Sequence, residues 1–175
     1  MPTPEHTPKA LIIVDAQKGF INHKTQRCIP KIHDHIASEK YNLIAATQFI
    51  NPEQSPYRTR LNWHNMRPED TENTALDPIV EENADIIVEK PGYASNIEPI
   101  IEKLHAKDTI DVTVCGLETD ACVLAVAFAL FNNNFHVSVD LDACATSADP
   151  EIEKGGEAIL ARSLGKEHVY RTSTH

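Results

Sequence analysis

The stretch Val112 to Phe128, VTVCGLETDACVLAVAF, decides the fold. It reads as a buried strand, a sharp turn at Gly116-Leu117-Glu118, and then a helix with Cys122 in its first turn. A strand that passes through a turn straight into a helix is the building unit of α/β domains. In the first turn of a helix the backbone N–H groups lack intrahelical acceptors and the helix dipole is positive. Both effects favour a thiolate, so Cys122 is expected to be an acidic, nucleophilic thiol. Such a group calls for a base and a cation elsewhere in the chain.

Working outward, the same alternation repeats. ALIIV (Ala10 to Val14) is a short continuous apolar run ending at Asp15, and NLIAAT (Asn42 to Thr47) is a second. DIIVE (Asp85 to Glu89) is a third, ending beside Lys90. The fourth is Asp111 to Cys115, the fifth Phe135 to Leu141, and a last short one covers His168 to Arg171. Runs of this kind suit strands buried on both faces of a parallel sheet. Helical spacing covers Ile29 to Ser38, Ile97 to Ala106, Thr119 to Phe131 and Glu151 to Ser163. The expected fold is α/β: a three-layer α-β-α sandwich with a mostly parallel, Rossmann-like central sheet. Residues 1–9 are expected to be a flexible N-terminal arm, and 10–175 a single domain. Asn51 to Thr74 is polar, rich in proline and asparagine and without period, which predicts a functional loop or lid.

The chain has 175 residues, 41% hydrophobic and 24% charged, ordinary values for a globular domain. A net charge of -10 argues against nucleic-acid binding. No apolar run is long enough to span a membrane. The polar start, MPTPEHTPK, is unlike a signal peptide, and four scattered cysteines fit reduced thiols, so a cytoplasmic location is expected. Cys28, Cys115 and Cys144 are expected to be structural. His33 and His35 stand two apart on a helix and face different ways, which speaks against a metal pair. His64 is expected at the surface.

In a parallel sheet, ligands bind beyond the carboxyl ends of the strands. Asp15, Lys90 and Cys122 all fall at that edge. Cys122 could attack an electrophilic carbon, Asp15 could accept its proton, and Lys90 could steady both charges. The three segments that carry these residues, IIVDAQKGF, VEKPGYAS and VCGLETDACV, resemble the signature segments of the isochorismatase-like cysteine hydrolases. That family includes nicotinamidases, N-carbamoylsarcosine amidohydrolases, ureidoacrylate amidohydrolases and isochorismatases. The resemblance spans roughly residues 10–165.

The resemblance implies a catalytic triad of Asp15, Lys90 and Cys122, and a cis peptide between Leu117 and Glu118. It also implies an oxyanion hole from the N–H groups of Glu118 and Cys122, with Thr119 bracing the turn by a hydrogen bond. Metal-binding members carry an Asp-x-His pair after the second strand. Here Phe49 and Asn51 stand at those positions, so no metal and no other cofactor is expected. Phe49 is then a pocket wall, and Asn51 either braces the loop or meets the substrate. Phe20, Tyr93 and Ser95 complete the expected substrate pocket. The resemblance further implies a homo-oligomer, a dimer or larger, and the long loop carrying Tyr57, Trp63 and Met66 offers anchors for an interface. Three functions are compatible with these residues. The first is a metal-independent cysteine hydrolase cleaving a C–N bond of a small amide or ureido compound through a thioester. The others are an enol ether hydrolase of the isochorismatase type and an inactive member serving as a binding or scaffold protein.

Overall fold

Every side chain from Ala10 to Val14 is fully buried. Successive strand residues point to opposite faces, so this strand must be covered on both sides. It is β1 (Lys9–Val14), and it lies in the middle of a six-stranded, all-parallel sheet. The computed structural model describes residues 7–172. In chain order, α1 (Ile29–Ala37), β2 (Leu43–Phe49), α2 (Pro56–Thr59), α3 (Thr71–Thr74), α4 (Pro78–Asn83), β3 (Ile86–Lys90) and α5 (Glu98–Ala106) follow. Then come β4 (Asp111–Leu117), α6 (Leu124–Asn132), β5 (His136–Ala145), α7 (Pro150–Leu164) and β6 (Val169–Tyr170). A wide π-type turn, Thr119–Val123, joins β4 to α6.

The strand order is β3-β2-β1-β4-β5-β6. The order reverses between β1 and β4, and such a switch point opens a crevice at the carboxyl ends of the two strands. Helices surround the sheet, α1 against α4 and α6 against α7. The expected sandwich is therefore present, with a sheet that is parallel throughout. Among the described residues no helix is long and apolar enough to cross a membrane. Of the expected N-terminal arm, residues 1–6 lie outside the described residues, and Lys9 already belongs to β1.

The elements start where their residues dictate. Asp77 accepts hydrogen bonds from the N–H groups of Ile79 and Val80 and so caps α4, with Pro78 in the first turn. Pro150, Glu151 and Glu153 open α7, where fixed φ and negative charge suit a helix start. In the segment 51–74, Ser55 caps α2 and Asp70 caps α3. β5 runs four residues past its expected end at Leu141 because its register against β4 shifts, Val114 pairing with Val139 but Gly116 with Cys144. The intervening bulge re-aims the strand and leaves Asp140 buried, hydrogen-bonded at 2.8 Å to His35 Nε2. His33 instead meets Asp77. The two histidines thus diverge, as their spacing requires.

Two glycines have positions with opposite demands. Gly116 has φ +126°, and a Cβ there would lie 2.1 Å from the Val14 carbonyl oxygen, so only glycine lets β4 close onto β1. Gly155, on the exposed face of α7, would meet nothing within 4 Å. Gly116→Ala is expected to destabilise the protein by about 3 kcal/mol or more, through strain and overpacking against a backbone that cannot move aside. Gly155→Ala is expected to stabilise it by roughly 0.5–1 kcal/mol. Urea unfolding of the two variants beside the parent checks both; equal midpoints would contradict the account.

Candidate active site

Three strand ends bring three side chains together. Asp15 follows β1 in the left-handed region, φ 49°, a conformation that aspartate tolerates better than most residues. Its N–H donates to the Thr47 carbonyl at 3.1 Å, tying the end of β1 to β2. Lys90 is the last residue of β3, two strands away, and its long stem carries the ammonium across the end of β2. There Nζ donates to Asp15 Oδ2 at 2.7 Å, to the Gly92 carbonyl at 3.0 Å and to Cys122 Sγ at 3.3 Å. These three acceptors match the three donors of an ammonium group. The Thr47 hydroxyl donates to the other carboxylate oxygen, Oδ1, at 2.7 Å. The ammonium also lies 5.3 Å from the centre of the Phe49 ring, a cation–π distance.

Asp15 and Lys90 are fully buried and Cys122 is 7% exposed. Burial pushes the Cys122 thiol well up from its ordinary pKa, the Asp15 carboxylate pushes it further, and Lys90 offsets only part. The acidic thiol expected from the helix start is therefore corrected. Desolvation and a neighbouring anion outweigh one cation here, so the surroundings favour the neutral thiol. Cys28, Cys115 and Cys144 are free and buried, and burial raises their pKa as well, that of Cys28 to about 12.

The turn also differs from expectation. All peptide bonds among the described residues are trans, including Leu117–Glu118. The chain leaves β4 through an extended Glu118, φ −72° and ψ 117°, and reverses in the π-type turn instead. There the Glu118 carbonyl accepts from the N–H groups of both Ala121 and Val123, each at 3.1 Å. Thr119 does not brace this turn: its hydroxyl is buried without a hydrogen-bond partner. The Glu118 side chain instead holds the loop after β5, accepting from the Ser147 N–H at 2.7 Å, from the Ser147 hydroxyl at 2.9 Å and from the Thr146 hydroxyl.

Cys122 opens into a cavity of about 450 Å³. Phe20, Phe49 and Tyr93 line it, as expected, and so do Tyr57, Trp63 and Glu118. Asn51 and Ser95 do not. Asn51 is fully buried, its amide donating to the carbonyls of Trp63 at 3.0 Å and Asn65 at 2.8 Å, while the Ser55 hydroxyl donates to its oxygen. It therefore braces the loop. Ser95 is exposed. Tyr57 and Met66 are buried and Trp63 half-buried in a cluster with Phe49 and Phe20, so these residues fold inward; Tyr57 and Trp63 line the cavity and Met66 packs behind it.

Two buried supports escaped the sequence reading. Thr47 orients Asp15, and Gln17 clamps β2 by accepting from the Phe49 N–H at 2.8 Å and donating to the Phe49 carbonyl at 2.9 Å and to the Thr74 carbonyl at 2.8 Å. Each is a polar residue in or beside an otherwise apolar run, the signal that could have marked it. The donor set does not fit a divalent metal. Phe49 offers no ligand atom, the Asn51 amide is taken up by the loop, and His64 is exposed. No cluster of three or more His, Cys, Asp or Glu residues able to hold a metal ion occurs among the described residues.

A search of curated proteins returns no match. Among solved structures, an L. infantum protein in complex with nicotinate is 19% identical, with a TM-score of 0.77 over 97% of this chain and 98% of its own. The pyrazinamidase of Pyrococcus horikoshii, solved with zinc, is 23% identical, with a TM-score of 0.75 over 94% of this chain and 98% of that one. The N-carbamoylsarcosine amidase of Thermoplasma acidophilum is 18% identical, with a TM-score of 0.76 over 94% and 95%. At these identities the likeness establishes a shared fold. The family profile for the isochorismatase domain matches residues 9–160, most of the chain, and on that match the protein belongs to the isochorismatase family.

Proposed function

We propose that the protein is a cysteine hydrolase that cleaves a C–N bond of a small amide or ureido compound without a metal. The observation that carries this reading is the Lys90 ammonium, bonded at once to Asp15 at 2.7 Å and to Cys122 at 3.3 Å, with Cys122 facing the cavity. A nucleophile, a proton acceptor and a fixed cation thus share one contact network, the arrangement that covalent acyl transfer needs.

In the proposed reaction the Cys122 proton passes to Asp15 as Sγ bonds to the carbonyl carbon. The negative charge that develops on the carbonyl oxygen is met by backbone N–H groups at the start of the π-type turn, each such donor being worth about 2.7–4 kcal/mol. The tetrahedral adduct collapses, the C–N bond breaks, and Asp15 returns the proton to the departing ammonia or amine. Water then gives a proton to Asp15 and attacks the thioester. The C–S bond breaks, the acid leaves, and the thiol recovers its proton. Lys90 stays charged throughout. The first step moves a proton from the thiol to the Asp15 carboxylate and the last returns one, and between them Asp15 gives a proton to the leaving group and takes one from water, so no net charge builds in the buried site.

Cys122→Ala is expected to reduce ammonia release from an amide panel by roughly 10⁴-fold or more, and Asp15→Asn by about 10²–10⁴-fold. Activity retained in the Cys122→Ala protein would exclude the thioester route. The thiol itself makes a second test. Its raised pKa predicts that iodoacetamide labels Cys122 more slowly than a free thiol at pH 7, with the rate climbing through pH 9 and beyond. The Asp15 carboxylate is one cause of that rise, so Asp15→Asn is expected to move the labelling profile to lower pH even as hydrolysis falls. A profile that moves to higher pH in this variant would overturn the assignment of Asp15 as the proton acceptor.

A further inference from the structure

The cavity above Cys122 has a marked charge asymmetry. Its described lining includes two carboxylates, Glu118 and Asp120, and not one lysine, arginine or histidine. Glu118 is fixed by the Ser147 N–H and by the hydroxyls of Thr146 and Ser147, so its charge is held in place. Asp120 sits in the first turn of the π-type segment. A helix start would otherwise attract an anionic ligand, but here the chain's own carboxylates already occupy that end.

The cations nearby are engaged elsewhere. The Lys90 ammonium is paired with Asp15 beneath the cavity. Lys24, near the rim, donates to the Ser147 carbonyl at 3.1 Å and lies 3.9 Å from Asp149. Arg58 donates to the Asn51 carbonyl at 2.8 Å. The rest of the wall is aromatic. Phe20 and Trp63 are stacked with planes 8° apart, and Tyr57 meets Tyr93 edge to face at 5.1 Å. Aromatic faces carry partial negative charge and attract cations. Rings and carboxylates together repel an anion and attract a neutral or positive group.

We propose that the site selects amides whose body is aromatic and uncharged or cationic, and rejects those that carry a carboxylate. This rests on the hydrolase reading for the word amide; the charge selection follows from the cavity itself. It sets this chain apart from any relative whose substrate is held through an anionic group, and it removes anionic enol ethers from the candidate substrates.

The test compares three probes of similar shape: benzamide, 4-(trimethylammoniomethyl)benzamide and 4-(carboxymethyl)benzamide. Calorimetry on the Cys122→Ala protein, which holds an amide without turning it over, reads binding alone. The cationic and neutral probes are each expected to bind at least about tenfold tighter than the carboxylate, and 0.5 M salt is expected to narrow the cationic preference. Glu118→Gln and Asp120→Asn, tested separately, are each expected to narrow it as well. Equal or tighter binding of the carboxylate probe overturns the proposal, and so does failure of all three to bind. Ammonia release by the unmutated enzyme is measured in parallel. Absence of release with the charge ranking intact counts against the hydrolase reading and supports the selectivity. Release with the ranking reversed overturns the selectivity alone.

Discussion

Two opposite charges, Asp15 and Lys90, are held 2.7 Å apart with no solvent exposure, and the arrangement of the strand ends depends on them. Burying an ion costs several kcal/mol, and such a pair persists only where the remaining hydrogen-bonding capacity is also met. Here it is. Thr47 and Lys90 each satisfy one oxygen of the carboxylate, and the ammonium has three acceptors. Removing either partner would leave a buried charge uncompensated, at a cost of about 3–5 kcal/mol. The pair therefore links β1 to β3 across β2, and it requires the ends of all three strands to stay in register.

The same pair bears on the candidate nucleophile. At Sγ desolvation is the largest influence, the Asp15 carboxylate adds to it, and the Lys90 ammonium offsets part, so the neutral form is favoured. A thiol poised against a carboxylate does not need to be acidic in the resting state. In the proposed reaction its proton passes to Asp15, and the ammonium 3.3 Å from Sγ would stabilise sulfur as the proton leaves. The local rule that a cysteine at a helix start is acidic holds for exposed sites. It loses here because burial acts on the whole charge, whereas the dipole contributes only a partial one.

The framework was legible in the sequence because fully buried parallel strands leave an unmistakable trace: runs such as ALIIV and NLIAAT, each ended by a polar residue. Asp15 and Lys90 could be placed from those runs, since in a parallel sheet the ends of strands share an edge. The pocket walls were less legible. Nothing local tells whether Tyr57 and Trp63 face outward or inward. That direction is set by Asn51, whose amide gathers the carbonyls of Trp63 and Asn65 and pulls the loop over Phe49. The length of β5 was hidden for a similar reason, because its bulge answers to β4 and to the His35–Asp140 contact across the fold. The short α4 lay below the length at which periodicity speaks.

Phe49 ties these threads together. At the end of β2 it sets a ring 5.3 Å from the Lys90 ammonium. A carboxylate there would compete with Asp15 for the same cation and add a second negative charge beside the thiol. The ring offers the ammonium only the weak attraction of its face, so Lys90 stays committed to Asp15 and Cys122. The ring also nucleates the cluster with Phe20, Tyr57 and Trp63 that encloses the cavity. Phe49 thus makes the end of the second strand a wall and gives the cavity much of its aromatic character.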